Sequence, residues 1–210
     1  MKRRDLLTLA AATALIPAMA IRLSGPAFAL DVDVEAILHD PEDPTGGNPK
    51  GDVTIVAFTD YNCPFCKKSA PDLDRIVKDD GKTRLVYKDW PILTKASVYG
   101  ARLALAANYQ GAYQLVHRAL MQIPGRQIPE DRMLQAVQAS GVDMARLQAD
   151  LQARATSIMG VLKRNLAEAD ALGLQGTPTY LIGPFRTSTL DYRGFVEALA
   201  EARRRQAAAK

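Results

Sequence analysis

The sequence predicts an α/β domain that is interrupted by a long helical insertion, and three observations support this prediction. Residues 53–59 (VTIVAFT) are short, apolar and rich in β-branched side chains, which is typical of a buried strand. A helix and a second strand, residues 83–90, follow it. Residues 95–172 then have helical periodicity throughout before strand character returns. This order favours one α/β domain with helices inserted between its strands.

The first helix is expected from about residue 63 to residue 80, directly after the buried strand. Leu73, Ile76 and Val77 share one face of it, and Pro71 is expected to kink it. The apolar stripes of the later helices are interpreted as packing faces. They therefore give no indication of a cofactor site.

Strand character returns in residues 177–183 (TPTYLIG), and the following RTSTL segment is expected to pair with it across the turn at Gly183. Asp191 then begins a last helix that buries Phe195 and Leu199. No internal repeat or low-complexity linker is recognised, which supports a single domain.

Residues 1–29 have the pattern of a cleavable signal peptide. Three basic side chains are followed by an uncharged apolar run, residues 6–20, and then by the small-x-small sequence that ends at Ala29. The run has 15 residues, whereas about 20 are needed to span a bilayer. We therefore expect cleavage after Ala29 and a periplasmic protein.

The export route stays open. Arg3-Arg4 ahead of two leucines resembles a twin-arginine signal, but two arginines are also ordinary in a general secretory signal. Ala18-Met19-Ala20 is a second possible cleavage site, and it is less favourable because it would leave Ile21 and Phe28 on an exposed tail.

The charge balance gives no indication of a nucleic-acid partner. The chain has 27 basic and 23 acidic residues, and residues 1–29 contain four of the basic residues and one acid, so the remainder has a net charge of +1. A basic run at residues 203–205 is interpreted as the solvated end of the last helix.

The chain contains only two cysteines, Cys63 and Cys66, three positions apart. A disulfide between them would close a loop too short to stabilise the fold appreciably, so a reaction explains the pair better. The start of a helix stabilises a thiolate through unpaired backbone N–H groups and the helix dipole. We therefore expect Cys63 to be the exposed nucleophile and Cys66 to be buried and to react second.

Other cysteine chemistries fit less well. Zinc needs four ligands, and the two histidines, His39 and His117, are isolated and lack ligand spacing. Covalent haem needs a histidine directly after the second cysteine, where this chain has Lys67. No metal and no cofactor are predicted.

Three segments in order, VTIVAFTDYNCPFCKKSAP, VYKDWPIL and GTPTYLIG, resemble the DsbA-like branch of the thioredoxin superfamily, and most closely exported proteins of the ScsC and BdbD kind. The resemblance covers about residues 35–200. It implies a thioredoxin-like fold built from residues 53–94 and 173–205, with a helical insertion at 95–172 and an N-terminal leader at 30–52.

The resemblance also implies roles for individual residues. Cys63 attacks or is attacked by a substrate sulfur, and Cys66 resolves the mixed disulfide. Thr177-Pro178 would be a cis peptide bond facing the disulfide. Its use would be to present the backbone of Thr177 for strand-like pairing with an extended substrate.

One departure from the family pattern concerns the buried acid that many relatives carry six residues before the first cysteine. Here that position is Ala57. Asp60 is nearer to the cysteines, and a water, or Lys88 with Asp89, could take over the proton transfer. An ion pair of Lys88 and Asp89 on the surface is an equally good interpretation.

The dipeptide between the cysteines is the second departure. It is Pro64-Phe65, whereas the best-known oxidase of the family has Pro-His. Phe65 brings neither charge nor a hydrogen bond to the Cys63 thiolate, so one source of oxidising power is missing. Pro64 leaves the reduction potential undetermined.

The sequence therefore predicts an exported thiol–disulfide oxidoreductase, and donation of its Cys63–Cys66 disulfide to exported polypeptides with cysteines is the favoured direction. A membrane redox partner would reset the pair. Isomerase or reductase activity is the alternative, and a redox-sensitive chaperone or binding module that uses the Thr177-Pro178 groove is another. Residues 30–52 are too short and proline-rich for a coiled coil, which favours a monomer.

Overall fold

The computed structural model describes residues 32–208. The predicted signal peptide, residues 1–29, lies outside them. The helices are α1 (Val34–His39), α2 (Pro64–Asp80), α3 (Lys95–Asn108), α4 (Tyr113–Met121), α5 (Glu130–Ala139), α6 (Met144–Ala153), α7 (Ala155–Ala171) and α8 (Tyr192–Ala208). The strands are β1 (Thr45–Gly47), β2 (Val53–Thr59), β3 (Thr83–Asp89), β4 (Thr179–Ile182) and β5 (Phe185–Thr187). None of these helices is long and apolar enough to cross a membrane.

The strands form one mixed sheet in the order β1-β3-β2-β4-β5. The central pair β2 and β3 is parallel and is connected through α2, and the other neighbouring strands are antiparallel. Six of the seven residues of β2 are buried, because helices cover both faces of the sheet at its centre. This explains why the strand is a continuous apolar run in the sequence.

The two faces of the sheet have different neighbours. Ala57 and Tyr87 lie side by side on one face, which packs against α2, α8 and the inserted helices. Phe58 and Lys88 lie side by side on the other face, where α1 and the end of α7 provide the cover. The cysteine pair belongs to the first face.

The insertion has the predicted position, since α3 to α7 all lie between β3 and β4. The predicted hairpin is also present, with β4 pairing with β5. The molecule therefore has the α/β fold with a helical insertion that the sequence indicated.

Strand β1 was not predicted. Its three residues pair with Arg84–Val86 at the edge of the sheet, although their sequence, Thr-Gly-Gly, has little strand propensity. Gly47 has a φ of +66°, and a Cβ atom there would lie 2.4 Å from the carbonyl oxygen of Thr83. Only glycine therefore fits at this close approach to β3.

Helix α2 begins directly after Cys63 and ends at Gly81, whose φ of +64° is typical of a left-handed helix end. It is one helix that contains Pro71. Leu73, Ile76 and Val77 are buried against the sheet, as their spacing predicted.

Candidate active site

Cys63 is the residue that caps the N-terminus of α2. Strand β2 ends at Thr59, and the turn that follows is closed by a hydrogen bond from the Cys63 backbone N–H to the Asp60 carbonyl oxygen at 3.1 Å. The Cys63 sulfur accepts a hydrogen bond from the Cys66 backbone N–H at 3.3 Å. Pro64 occupies the first helical position, where its lack of an N–H group costs nothing.

The two thiols differ in acidity. A hydrogen bond from the Cys66 side chain, together with the Thr177 side chain and the backbone N–H groups of Cys66 and Phe65, lowers the pKa of Cys63 to about 6, although burial acts in the opposite direction. Burial and the neighbouring Cys63 raise the pKa of Cys66 well above its usual value. At neutral pH the pair therefore consists of a Cys63 thiolate and a Cys66 thiol.

The expectation that Cys63 is exposed is wrong. Its exposed fraction is 2%, close to the 1% of Cys66. The reason is the segment before β4, which lies against the sulfur: the Thr177 carbonyl oxygen is 3.1 Å from it and accepts a hydrogen bond when Cys63 is protonated. The exposed side chain at this position is Phe65, at 59%.

Thr177 and Pro178 thus come next to the cysteines from 114 residues away along the chain. The peptide bond between them is cis. The Thr177 hydroxyl is buried, has no hydrogen-bond partner among residues 32–208, and helps to lower the pKa of Cys63.

Asp60 is buried in the turn that precedes Cys63, but its carboxylate faces the start of the insertion. It accepts hydrogen bonds from the backbone N–H groups of Asn62 at 2.7 Å and Leu93 at 2.9 Å, and from the Ser97 hydroxyl at 2.7 Å. These three bonds fix the turn against the residues around the start of α3. Their geometry gives Asp60 a positioning role.

Lys88 is not part of the site, and the alternative of a surface ion pair with Asp89 is also wrong. Its ammonium group is fully buried, binds the Asp43 carboxylate, and lies 2.7 Å from a carboxylate oxygen of Glu168. Successive residues of a strand point to opposite faces, so Lys88 points away from the cysteines while Asp89 points toward their side.

Asp89 belongs to a buried polar chain that sequence patterns did not reveal. The Asp89 carboxylate accepts a hydrogen bond from the Tyr113 hydroxyl at 3.1 Å. The Tyr113 hydroxyl lies 3.5 Å from the Tyr61 hydroxyl, and the Tyr61 hydroxyl lies 3.0 Å from Nδ1 of His117. Burial raises the pKa of Asp89 to about 7 and lowers that of His117 to about 3. His117 is thus a neutral buried residue, and Tyr61 links it to the turn before Cys63.

Another unforeseen pair lies opposite the position of the missing acid. Ala57 is fully buried and pairs across the sheet with Tyr180. The Tyr180 hydroxyl lies 2.5 Å from the hydroxyl of Ser69, which is one helical turn after Cys66. A sequence indication was available, because a tyrosine in a buried strand needs a hydrogen-bond partner. A pair of hydroxyl groups therefore joins β4 to α2 on the strand next to Ala57.

The fold and the cysteine pair define a thiol:disulfide oxidoreductase. The family model described as thioredoxin matches residues 39–201, so the chain belongs to the thioredoxin family.

Solved structures support the same class. A thioredoxin-like oxidoreductase from Silicibacter pomeroyi DSS-3 is 35% identical with a TM-score of 0.75, over 82% of this chain and 98% of that chain. The catalytic domain of Proteus mirabilis ScsC is 25% identical with a TM-score of 0.73, over 83% and 96%. The thiol-disulfide exchange protein α-DsbA2 from Wolbachia pipientis is 26% identical with a TM-score of 0.74, over 80% and 90%. The expected likeness to DsbA-like and ScsC proteins is confirmed.

The chain also matches part of a larger curated protein. It is 27% identical over 183 residues to the Na(+)/H(+) antiporter NhaA 3 of Salinispora tropica, which is 83% of this chain and 27% of that protein. The chain thus spans about a quarter of the length of the curated relatives that it matches.

Proposed function

We propose that the protein exchanges disulfides with exported polypeptides and acts mainly as a disulfide donor through Cys63 and Cys66. The observation that carries this proposal is the position of the Cys63 sulfur at the N-terminus of α2, where it accepts a hydrogen bond from the Cys66 backbone N–H and its pKa is lowered to about 6. A stabilised thiolate favours the reduced form of the pair, so the oxidised form gives up its disulfide more readily.

Disulfide donation would proceed in two exchange steps. A deprotonated substrate thiol attacks the Cys63 sulfur, the Cys63–Cys66 bond breaks, and Cys66 leaves and takes up a proton. A second deprotonated substrate thiol then attacks the substrate sulfur of the mixed disulfide, and Cys63 leaves as a thiolate. Two electrons pass from the substrate to the pair, and of the two protons lost by the substrate one goes to Cys66 and one to water.

Each residue of the site has a place in these steps. The low pKa of Cys63 makes it a good leaving group in the second step, and the raised pKa of Cys66 favours its reprotonation in the first. The backbone of Thr177, beside the Cys63 sulfur, would pair with an extended substrate. Pro178 holds that segment, while Pro64 and Phe65 influence the potential.

The proposed setting is the periplasm, after removal of residues 1–29. The signal-like N-terminus supports this, and disulfides of exported polypeptides form and persist in such an oxidising compartment. Turnover as a donor requires a partner that takes two electrons from the reduced pair, and we assign that role to a membrane redox protein.

Isomerase or reductase activity is the second candidate, and Phe65 favours it. This side chain is exposed and carries no charge or hydrogen-bond donor for the thiolate. The pKa of Cys63 is also higher than the roughly 3.5 of the strongest donor in this superfamily and nearer to the roughly 7 of thioredoxin.

Equilibration of the pair with glutathione tests the direction. We expect a reduction potential between about −270 mV and about −120 mV, and on the oxidising side of about −200 mV. A potential near −270 mV would contradict disulfide donation and support a reductase.

The thiolate itself is tested by alkylation of the reduced protein from pH 4 to pH 9, with the modified residue located by mass spectrometry. Cys63 should react with a midpoint near pH 6, because below its pKa the sulfur is protonated and unreactive. Cys63→Ala should remove both this reaction and all disulfide exchange while the protein stays folded. Continued exchange in that variant would exclude the proposed chemistry.

A further inference from the structure

A pocket opens beside the cysteine pair, between α2, α4 and the loop that follows α4. Its volume is about 650 Å³, within the range of roughly 300–1,000 Å³ that is typical of ligand sites. It begins at Pro64, the residue bonded to Cys63. Its lining is largely apolar and includes Pro64, Ala70, Pro71, Met121, Ile123 and Pro124.

The rim of this pocket is cationic. Four basic side chains line it and one carboxylate, so its formal net charge is +3. Arg118 is paired with that carboxylate, Asp74, at 2.7 Å. Lys68 and Arg126 are exposed and have no ion pair within residues 32–208. Their charges are therefore available to a partner.

The loop wall is attached to the active-site segment at two points. The Asn62 side chain accepts a hydrogen bond from the Ile128 backbone N–H at 2.6 Å and donates to the Ile128 carbonyl oxygen at 3.3 Å. The Lys67 ammonium group donates to the carbonyl oxygens of Ile123 at 2.8 Å and Gly125 at 3.4 Å. The pocket is therefore formed before any partner binds, and its position is fixed relative to Cys63.

We propose that this pocket, which we call the flank pocket, binds the segment of a substrate polypeptide that flanks its reacting cysteine, and that it selects an apolar side chain next to a carboxylate. This inference rests on the proposed function. Pro64 is bonded to Cys63 and lines the pocket, so residues next to a substrate sulfur at Cys63 are within reach of it. The apolar lining of the pocket fits one side chain, and Lys68 with Arg126 fits an acidic neighbour.

The selectivity is mainly electrostatic and therefore depends on salt. Oriented charge around a cleft raises association rates by roughly 10- to 1,000-fold at low ionic strength. Screening becomes strong once the Debye length falls from about 10 Å at 0.1 M to about 3 Å at 1 M. An acidic substrate should thus lose its advantage as salt increases, whereas the contribution of the apolar side chain should persist.

Three synthetic dithiol peptides test the flank pocket. Each has two cysteines, flanked by Glu-Leu in the first, by Lys-Leu in the second and by Glu-Ser in the third. The oxidised protein is mixed with each, kcat/KM for peptide oxidation is measured, and every value is divided by the rate with dithiothreitol, which is neutral. We expect the Glu-Leu peptide to exceed the Lys-Leu peptide at least tenfold at low salt and less than threefold at 1 M salt, and the Glu-Ser peptide to fall severalfold below Glu-Leu.

A charge-reversal variant tests whether the peptide preference arises from the flank pocket. Lys68→Glu combined with Arg126→Glu should invert the preference between the Glu-Leu and Lys-Leu peptides. Lys163→Glu is the matched control, because Lys163 is exposed on α7 outside the pocket and has no ion pair within the described chain. It should leave the preference unchanged. Arg126→Gln is the milder second variant if the double reversal does not fold, and it should reduce the preference.

Several outcomes would overturn the flank pocket without touching the proposed function. These are equal oxidation of the acidic and basic peptides by the unmodified protein, an equal shift in Lys163→Glu, or a preference that does not respond to salt. Dimerisation that the charge reversal abolishes would identify the surface as a contact between copies instead. If dithiothreitol reduces the pair but no peptide is oxidised, the proposed function fails, and the flank pocket fails with it.

Discussion

Two adjacent residues of β3 bury ionisable groups on opposite faces of the sheet, and the two groups are stabilised in different ways. Lys88 is surrounded by opposite charge, with Asp43 and Glu168 bound to its ammonium group. Among residues 32–208, the Asp89 carboxylate has no cation beside it and accepts a hydrogen bond from the Tyr113 hydroxyl, and burial raises its pKa to about 7. The ion cluster thus belongs to the face away from the cysteines.

This difference bears on the origin of the low pKa of Cys63. The main influences that lower its pKa are hydrogen bonds from Cys66, Thr177 and the start of α2, and none of them comes from the ion cluster around Lys88. The ion cluster should therefore control the stability of the fold and leave the thiolate unaffected. Substitutions on each face test whether the two faces are independent.

Lys88→Met should have the largest effect. It leaves two carboxylates without their cation, and removal of one partner from a buried ion pair costs about 3–5 kcal/mol of the free energy of unfolding. Urea unfolding measures this loss, and Lys50→Met, at an exposed position, is the control with a change below about 0.5 kcal/mol. The Cys63 alkylation midpoint should stay near pH 6. A shifted midpoint would show that the two faces are coupled.

Asp89→Asn should have an intermediate effect of opposite sign. Because the folded pKa of about 7 lies above the unfolded value near 3.8, the folded state binds more protons between these limits, and the stability that Asp89 provides falls as pH rises from about 4 to 7. The variant should lack this decline, which a pKa raised from 3.8 to about 7 makes at most about 4 kcal/mol, and it should therefore be more stable than the unmodified protein at pH 8. Unfolding at pH 4 and pH 8 measures it, with Asp72→Asn as control. Equal stability changes at both pH values would mean that Asp89 ionises normally.

Tyr180→Phe should have the smallest effect. It removes the hydrogen bond with Ser69, at a cost of about 1 kcal/mol in the free energy of unfolding. Ser69→Ala should cost a similar amount, and the double variant little more than either one, because the two side chains form one interaction. A shift of the Cys63 alkylation midpoint in Tyr180→Phe would place this hydroxyl pair within the site that tunes the thiols.

Local patterns predicted the parts of the molecule that depend on local physics. Periodicity gave β2, the buried face of α2 and the inserted helices, and spacing gave Cys63 and Cys66 as the reacting pair. Contacts between segments that are distant along the chain could not be predicted from local sequence patterns. The burial of Cys63 depends on Thr177, 114 residues away, and the burial of Lys88 on Asp43 and Glu168 from segments on either side.

Strand β1 shows the same limit, because its pairing is dictated by the free edge of β3 rather than by its own residues. The strand at the opposite edge of the sheet, β5, is equally short, and both outer strands have three residues. Short outer strands offer little backbone on which a foreign chain could add itself and start aggregation. A protein that we propose meets unfolded chains therefore presents them with a reactive sulfur but with almost no template for amyloid-like stacking.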